Sequence, residues 1–357
     1  MANLYGRNLS RAELLRYAVD VSQVGGVRQS VLLGGPFTGV EAVDFRTGSG
    51  LDFTVLPSRG MDISYAEFNG KALCMRSTTG DVAPQYYERE GLGWLRGFQG
   101  GLFVTGGLSY MGHPCVDEGE DLGLHGPASY IPAQNVWADA EWEGDDYVMW
   151  VQGKVRETSF YGVDLVLKRR IWTRLGEKRL WIDDVVTNLG HSPMTNMMLY
   201  HFNIGYPVLD ENAVFLSPTI KVTAQDDQAA QHLDDYYRFE KPVHNYPERV
   251  YLHELRGDVE GNVTVALVNA PLELGVYLKY NLKELPWLNQ WKNMSEGSYV
   301  LGMEPATGGV GGRAKERAAG RLRYLQPGES AEYHIEFGVL SGRDELAAVE
   351  KTIEREV

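Results

Sequence analysis

Short segments in which apolar and polar residues alternate one for one recur through most of the 357-residue chain. That period of two limits the fold more than any other feature. Leu51, Phe53 and Val55 alternate in this way, as do Val163, Leu165 and Leu167. So do Val263, Val265 and Leu267, followed closely by Leu274, Val276 and Leu278. Tyr333, Ile335, Phe337 and Val339 alternate with His334, Glu336 and Gly338, just after the turn sequence Gln326-Pro327-Gly328-Glu329. Each segment turns one face to a core and the other to solvent or a cleft. Many short strands, 41 glycines and little internal helix point to a sandwich or barrel, not to a parallel sheet wrapped in helices.

Helical patterning is confined to the ends. Ser10 and Glu13 form a capping-box signature ahead of Leu14, Leu15 and Val19, which predicts a helix over about 10–20 plugging one end of the sandwich. Leu346, Val349 and Ile353 recur at helical spacing on a charged background, which predicts a helix over about 343–356 packed on the outside. No linker-like tract or fixed-period repeat interrupts the chain, so one domain over 1–357 is expected.

Charge and composition narrow the function. Lys and Arg total 34 against 48 Asp and Glu, a formal net charge of −14, which argues against a nucleic-acid partner or an anionic membrane surface. No apolar run approaches the roughly 20 residues that span a bilayer. The opening residues MANLYGRNLSRAELL lack the apolar core of a signal peptide. Cys74 and Cys115, the only cysteines, are too few for a disulfide scaffold. These readings predict a cytoplasmic protein with two reduced thiols, and they leave a homo-oligomer open.

Four segments set polar groups beside glycine, proline or aromatic residues, as a sugar cleft requires. In LPSRGMDI (56–63), Arg59 leaves a strand at a turn, where it serves either a ligand or a surface ion pair. In LGLHGP (122–127), His125 sits at a sharp bend before Gly126-Pro127, as a binding group or a turn residue bonded to a carbonyl. In LYHFNIGYP (199–207), His201 lies in an apolar run, a setting that also suits a satisfied core histidine. In YVLGMEPATGG (299–309), Glu304 ends an apolar strand before Pro305; a carboxylate buried there is costly unless partnered or neutral, which marks it for chemistry. Upstream, PWLNQWKNM (286–294) brings Trp287 and Trp291, whose indole faces suit a sugar ring, with Gln290 and Lys292 to bond hydroxyls. The same residues also read as a strand with two core tryptophans.

The ordered set Leu-His-Gly, His-Phe-Asn and Gly-Met-Glu-Pro resembles the aldose 1-epimerase (galactose mutarotase) superfamily. The phrases PSRGMDI, GGLFVTGGL, YHFNIGYP and PWLNQWK resemble the branch of it long catalogued as a domain of unknown function, over about residues 25–340. The resemblance implies a mainly β fold, a large antiparallel super-sandwich of the galactose mutarotase type with short peripheral helices and a groove on one sheet. It implies His201 as general acid and Glu304 as general base, His125 as a sugar-binding histidine, and Arg59, Gln290 and Lys292 as cleft residues. It does not place the sugar-binding aspartate of that family, for which Asp226 and Asp227 are candidates.

The implied activity is interconversion of sugar anomers by acid–base ring opening and closure. It needs a small sugar or sugar acid and no cofactor or metal, since two side chains move the protons. Arg59, Arg96 and Lys292 hint at an anionic group on that substrate. The alternative is a non-catalytic carbohydrate-binding or sensing protein on the same fold. A metal-dependent isomerase using His113, His125, His201 and Glu304 is disfavoured by the absence of any His-x-His pair.

Overall fold

The structure is a computed structural model describing residues 1–356, with side chains through Glu354. Two antiparallel sheets dominate it. The first has eight strands in the order Gln134–Glu143, Asp146–Thr158, Asp164–Arg174, Arg179–Asn188, Ser330–Ser341, Leu274–Asn281, Asn262–Asn269 and Val214–Leu216. The second has eleven. Its main path runs Thr219–Ala224, Arg249–Leu255, Trp287–Ser295, Ser298–Ala306, Leu199–Ile204, Phe103–Gly106, Asp62–Phe68, Leu51–Leu56, Glu41–Arg46 and Gly26–Val31, with Lys71–Ala72 hydrogen-bonded to Asp62–Phe68. The predicted mainly antiparallel β architecture is what forms.

Alternation along the strands sorts side chains into layers. Leu51, Phe53 and Val55 join Leu165, Leu167, Val263, Val265, Leu274, Val276, Ile335 and Phe337 in one apolar core between the sheets. Asn262–Asn269 departs from clean alternation, being buried along almost its whole length. The C-terminal helix explains this. Spanning Arg343–Glu356, it lays Leu346, Val349 and Ile353 on Ala266 and Val268, covering the outer face of the eight-stranded sheet as expected.

The N-terminal helix is shorter than predicted. The Ser10–Glu13 capping box forms, but the helix spans only Arg11–Leu14. Leu14 is buried in the main core whereas Val19 is 96% exposed. The cause is Asp20, whose side chain accepts the Ser22 backbone N–H and starts a separate 3₁₀ turn at Val21–Gln23, so the chain must leave the helix before it. Among the described residues, no helix is long and apolar enough to cross a membrane.

A polar cluster crosses the core. Arg169, fully buried, pairs with Asp184 through Nη2–Oδ2 at 2.7 Å and Nε–Oδ1 at 2.9 Å. Its Nη1 donates to Thr105 Oγ1 (2.6 Å) and the Gly60 carbonyl (3.1 Å), and the Tyr200 hydroxyl donates to Asp184 Oδ2 (2.6 Å). Thr105 and Ser129 in turn donate to Asp62, whose carboxyl burial pushes up to about 6. Removing one member of a buried pair leaves the other uncompensated, at a cost of about 3–5 kcal/mol. Arg169→Met should therefore lower the folding stability by that order, read as a reduced urea midpoint at unchanged slope; a loss below about 1 kcal/mol would mean the pair does not hold the sheets together.

Candidate active site

Two neighbouring strands of the eleven-stranded sheet carry the centre of the site. Leu199 pairs with Ala306 and Phe202 with Met303, so the antiparallel register sets His201 opposite Glu304. Tyr200, Phe202, Leu301 and Met303 point into the core between the sheets. His201 and Glu304 therefore emerge on the sheet's other face, as residues next in line on a strand must. His201 Nε2 lies 3.2 Å from Glu304 Oε1, with only 7% and 2% of the two side chains exposed.

Gly302 makes room for this contact. It sits on the same face two positions before Glu304, and a Cβ built on it would come 2.3 Å from Glu304 Oε1 and 2.8 Å from the Trp291 Cβ. The carboxyl group thus folds back over a residue without a side chain, and the oxygen that lies there is the one facing His201.

The cleft above the pair encloses about 240 Å³. Its walls are mainly aromatic and aliphatic, with Trp94, Phe98, Leu124, Val250, Trp291 and Val310 around His125, His201 and Glu304. Around His201 the rings of Trp291, His125 and Phe98 stand at centroid distances of 5.5, 5.6 and 5.8 Å. His125 is held at φ +54° by its own backbone, donating to the Gly112 carbonyl and accepting from Gly107, both at 2.9 Å. The next residue must be glycine, since a Cβ on Gly126 would meet the carbonyls of Gly107 and Tyr110 at 2.4 Å.

Burial sets the protonation of the pair. It pulls the His201 imidazole down to about 4, outweighing the Asn203 side chain, which acts the other way. It pushes the Glu304 carboxyl well above the usual carboxylate range, helped by the nearby negative charge of Glu248. His125 is likewise driven well below its ordinary value by burial and by the neighbouring histidines. Both shifts favour the uncharged state of the pair, with its proton on Glu304 and His201 neutral. Trp94 Nε1, His125 Nδ1 and Glu304 Oε1 are buried polar atoms without a hydrogen-bond partner among the described residues. No group of three or more His, Cys, Asp or Glu side chains among those residues is placed to hold a metal ion.

The structure brings His125, His201 and Glu304 together and places the other expected residues elsewhere. Gln290 and Lys292 flank Trp291 on one strand, so when Trp291 faces the cleft they point to the opposite side. Gln290 donates to the Tyr236 carbonyl at 2.8 Å and faces His253 Nε2 at 3.1 Å. Lys292 pairs with Glu240 at 2.8 Å and donates to the Arg238 carbonyl at 2.5 Å. Arg59 is fully buried. It donates to the carbonyls of Val82 (2.6 Å), Ser129 (2.9 Å) and Gly97 (3.0 Å) and stacks on Tyr130, whose hydroxyl bonds the Trp94 carbonyl. It braces the wall that carries Trp94 without reaching the cleft.

The hint of an anionic ligand loses its basis in the same way, because Arg96 pairs with Glu88 at 2.9 Å. Trp287 stacks under Arg321, and Asp226 caps the helix Asp227–Ala230. Sequence reasoning missed Trp94, Phe98 and Glu248. Glu248 accepts the Trp291 Nε1–H at 2.9 Å on the cleft rim, and no local pattern marks it.

Comparison with known proteins places this geometry. Residues 37–339 match the family described as Domain of unknown function (DUF4432). The chain belongs to that family. A candidate aldose 1-epimerase from Klebsiella pneumoniae subsp. pneumoniae MGH 78578 shares 30% identity with this family member over 92% of its chain and 87% of the other, with a TM-score of 0.88. A galactose mutarotase-like protein from Clostridium acetobutylicum (15% identity, 89% and 99% covered, TM-score 0.62) shares the fold. So does galactose 1-epimerase from Lactobacillus acidophilus NCFM (12%, 89% and 100%, 0.60). No protein with a curated description matches the sequence. The family member is thus a galactose mutarotase-like protein of the aldose 1-epimerase superfamily.

The role given to Gly302 can be checked without a substrate. Gly302→Ala should lower the melting temperature by about a few degrees, because its Cβ would press on the Trp291 Cβ of the paired strand as well as on the free end of Glu304. It should separate Glu304 from His201 and so move the His201 ring titration seen by ¹⁵N NMR. A variant titrating like the wild type would show that Gly302 does not set the contact.

Proposed function

We propose that this protein is an aldose 1-epimerase that exchanges the anomers of a small sugar, with His201 and Glu304 as its acid–base pair. The observation that carries the reading is the 3.2 Å approach of Nε2 to Oε1 at the floor of an aromatic cleft. Two groups so close can both reach the anomeric centre of one ring, and indole and phenyl faces suit the apolar face of that ring.

Ring opening removes the proton of the C1 hydroxyl and delivers one to the ring oxygen. With the pair's single proton on His201, Glu304 takes the hydroxyl proton and His201 protonates the ring oxygen as the C1–O bond breaks. The products are the open aldehyde, neutral His201 and protonated Glu304. That neutral pair is the state favoured by burial, so the dry cleft favours the products of this step over the charged pair that begins it. Rotation about C1–C2 and the reverse transfers give the other anomer. Neither cofactor nor covalent intermediate is called for.

The lining also bears on substrate charge. Two carboxylates, Glu248 and Glu304, border the cleft, and no Lys or Arg does among the described residues. This favours a neutral sugar over the sugar acid that the sequence hinted at.

Anomer exchange followed by NMR across free hexoses and uronic acids tests the reading. Glu304→Gln should still bind sugar but exchange it at least about 100-fold more slowly, the lower end of what a positioned acid–base group contributes. Exchange at the wild-type rate would remove Glu304 from the mechanism, and a wild-type protein that binds sugars without exchanging them would favour the carbohydrate-binding alternative.

The pH profile gives a separate check. Activity needs one proton on the pair, so kcat/KM should fall as pH drops through about 4, where His201 gains a second proton. It should also fall as pH rises through the elevated value of Glu304. An acid limb near the ordinary histidine value would mean that burial does not control the imidazole.

A further inference from the structure

Beside the cleft lies a larger groove of about 900 Å³. Ligand pockets usually run to about 300–1,000 Å³. The cleft, at about 240 Å³, suits a single ring, while the groove has room for more. Three separate stretches of chain pass from groove to cleft at consecutive residues, at Gly91 and Leu92, at Pro114 and His113, and at Gly123 and Leu124. The two are therefore neighbouring compartments of one depression. The segments between them are tied together, for Leu124 N–H donates to the Gly91 carbonyl at 3.0 Å and Gly123 presses against the Arg89 carbonyl.

The outer lip of the groove is a hairpin of Cys115–Asp117 and Glu120–Leu122. It is clamped from behind by Arg313, whose guanidinium bonds Asp117 at 2.6 Å and Glu120 at 2.8 Å, and by Arg317 on Asp117 at 2.8 Å. A lip anchored by two arginines gives a preformed wall. Its lining is mixed, with Arg89, Glu90, Glu120 and Asp121 beside Pro114, Val116 and Leu122. Carboxylate and guanidinium groups side by side accept from and donate to neighbouring hydroxyls, which suits a sugar better than an apolar substituent.

We propose that this groove binds the second residue of a reducing disaccharide whose reducing ring occupies the cleft. The proposal rests on the cleft being a sugar site, as argued above. Anomer exchange requires a free C1 at His201 and Glu304, so only the reducing end of an oligosaccharide can enter. The rest of the molecule must then leave the cleft over its rim, and the groove beyond Leu92 and Leu124 lies where it would go.

The test measures binding apart from turnover. Glucose with maltose, and galactose with lactose, are titrated into the Glu304→Gln protein and followed by tryptophan fluorescence, since Trp94 and Trp291 line the cleft. At least one disaccharide should bind about tenfold or more tightly than its own monosaccharide. Asp121→Trp, which fills the groove, should erase that advantage and leave monosaccharide affinity within twofold. Anomer exchange by the same pairs in the otherwise wild-type protein should show the same preference in kcat/KM. Equal or weaker binding of both disaccharides would overturn the proposal, as would an Asp121→Trp variant that keeps the advantage or loses both sugars alike. Exchange that fails for every sugar while the binding preference holds would count against the epimerase reading and leave the groove assigned.

Discussion

The buried guanidinium of Arg169 is the interaction on which the site depends. It stands between the sheets, tied to Asp184 on one and to Thr105 on the other, with the Tyr200 hydroxyl on the same carboxylate. Tyr200 and Thr105 lie on two paired strands whose opposite faces present His201 to the cleft and Val104 to the apolar cluster of Trp94, Phe98 and Leu124 in its wall. The cluster therefore grips, from behind, the backbone that aims the histidine. A buried ion pair is weak evidence of net stabilisation, since hydrophobic replacements often do as well. Its value here is geometric, for many directional bonds admit one register and one separation of the sheets.

The cleft works by the opposite device. Behind the sheet Arg169 is answered by Asp184, whereas in front His201 and Glu304 are buried with few partners. Desolvation then acts on both in the direction that removes charge, lowering the imidazole and raising the carboxyl. An isolated buried carboxylate would simply stay protonated and inert. With an imidazole 3.2 Å away, the proton has a second site within reach, which is what a reaction that hands protons to and fro requires.

Fold class was legible because strand period survives in any sequence that buries one face of a sheet, and the Ser330–Ser341 strand shows this directly. Where burial departs from that alternation a second layer is responsible, as along Asn262–Asn269, whose Ala266 and Val268 the C-terminal helix covers. The N-terminal helix was misjudged because Leu15 and Val19 fit a helical stripe that Asp20 interrupts by capping a turn of its own. His125, His201 and Glu304 could be read because each carries its polar group inside an apolar or sharply bent segment. Trp94, Phe98 and Glu248 could not, since they reach the cleft from loops whose path is set by distant contacts such as Arg59 to Val82, Gly97 and Ser129.

Gln290, Trp291 and Lys292 show how little separates a right reading from a wrong one on a strand. Sugar-like chemistry was plausible for all three, yet a strand cannot turn adjacent side chains to the same side. Because Trp291 faces the cleft, its neighbours must serve the interior, and the interior supplies Glu240, His253 and the carbonyls of Tyr236 and Arg238 to receive them. The same partners neutralise a lysine that would otherwise have drawn an anionic substrate. What remains in the cleft is acidic and aromatic, in keeping with a chain of net charge −14, so discrimination there falls to shape, ring stacking and hydroxyl contacts.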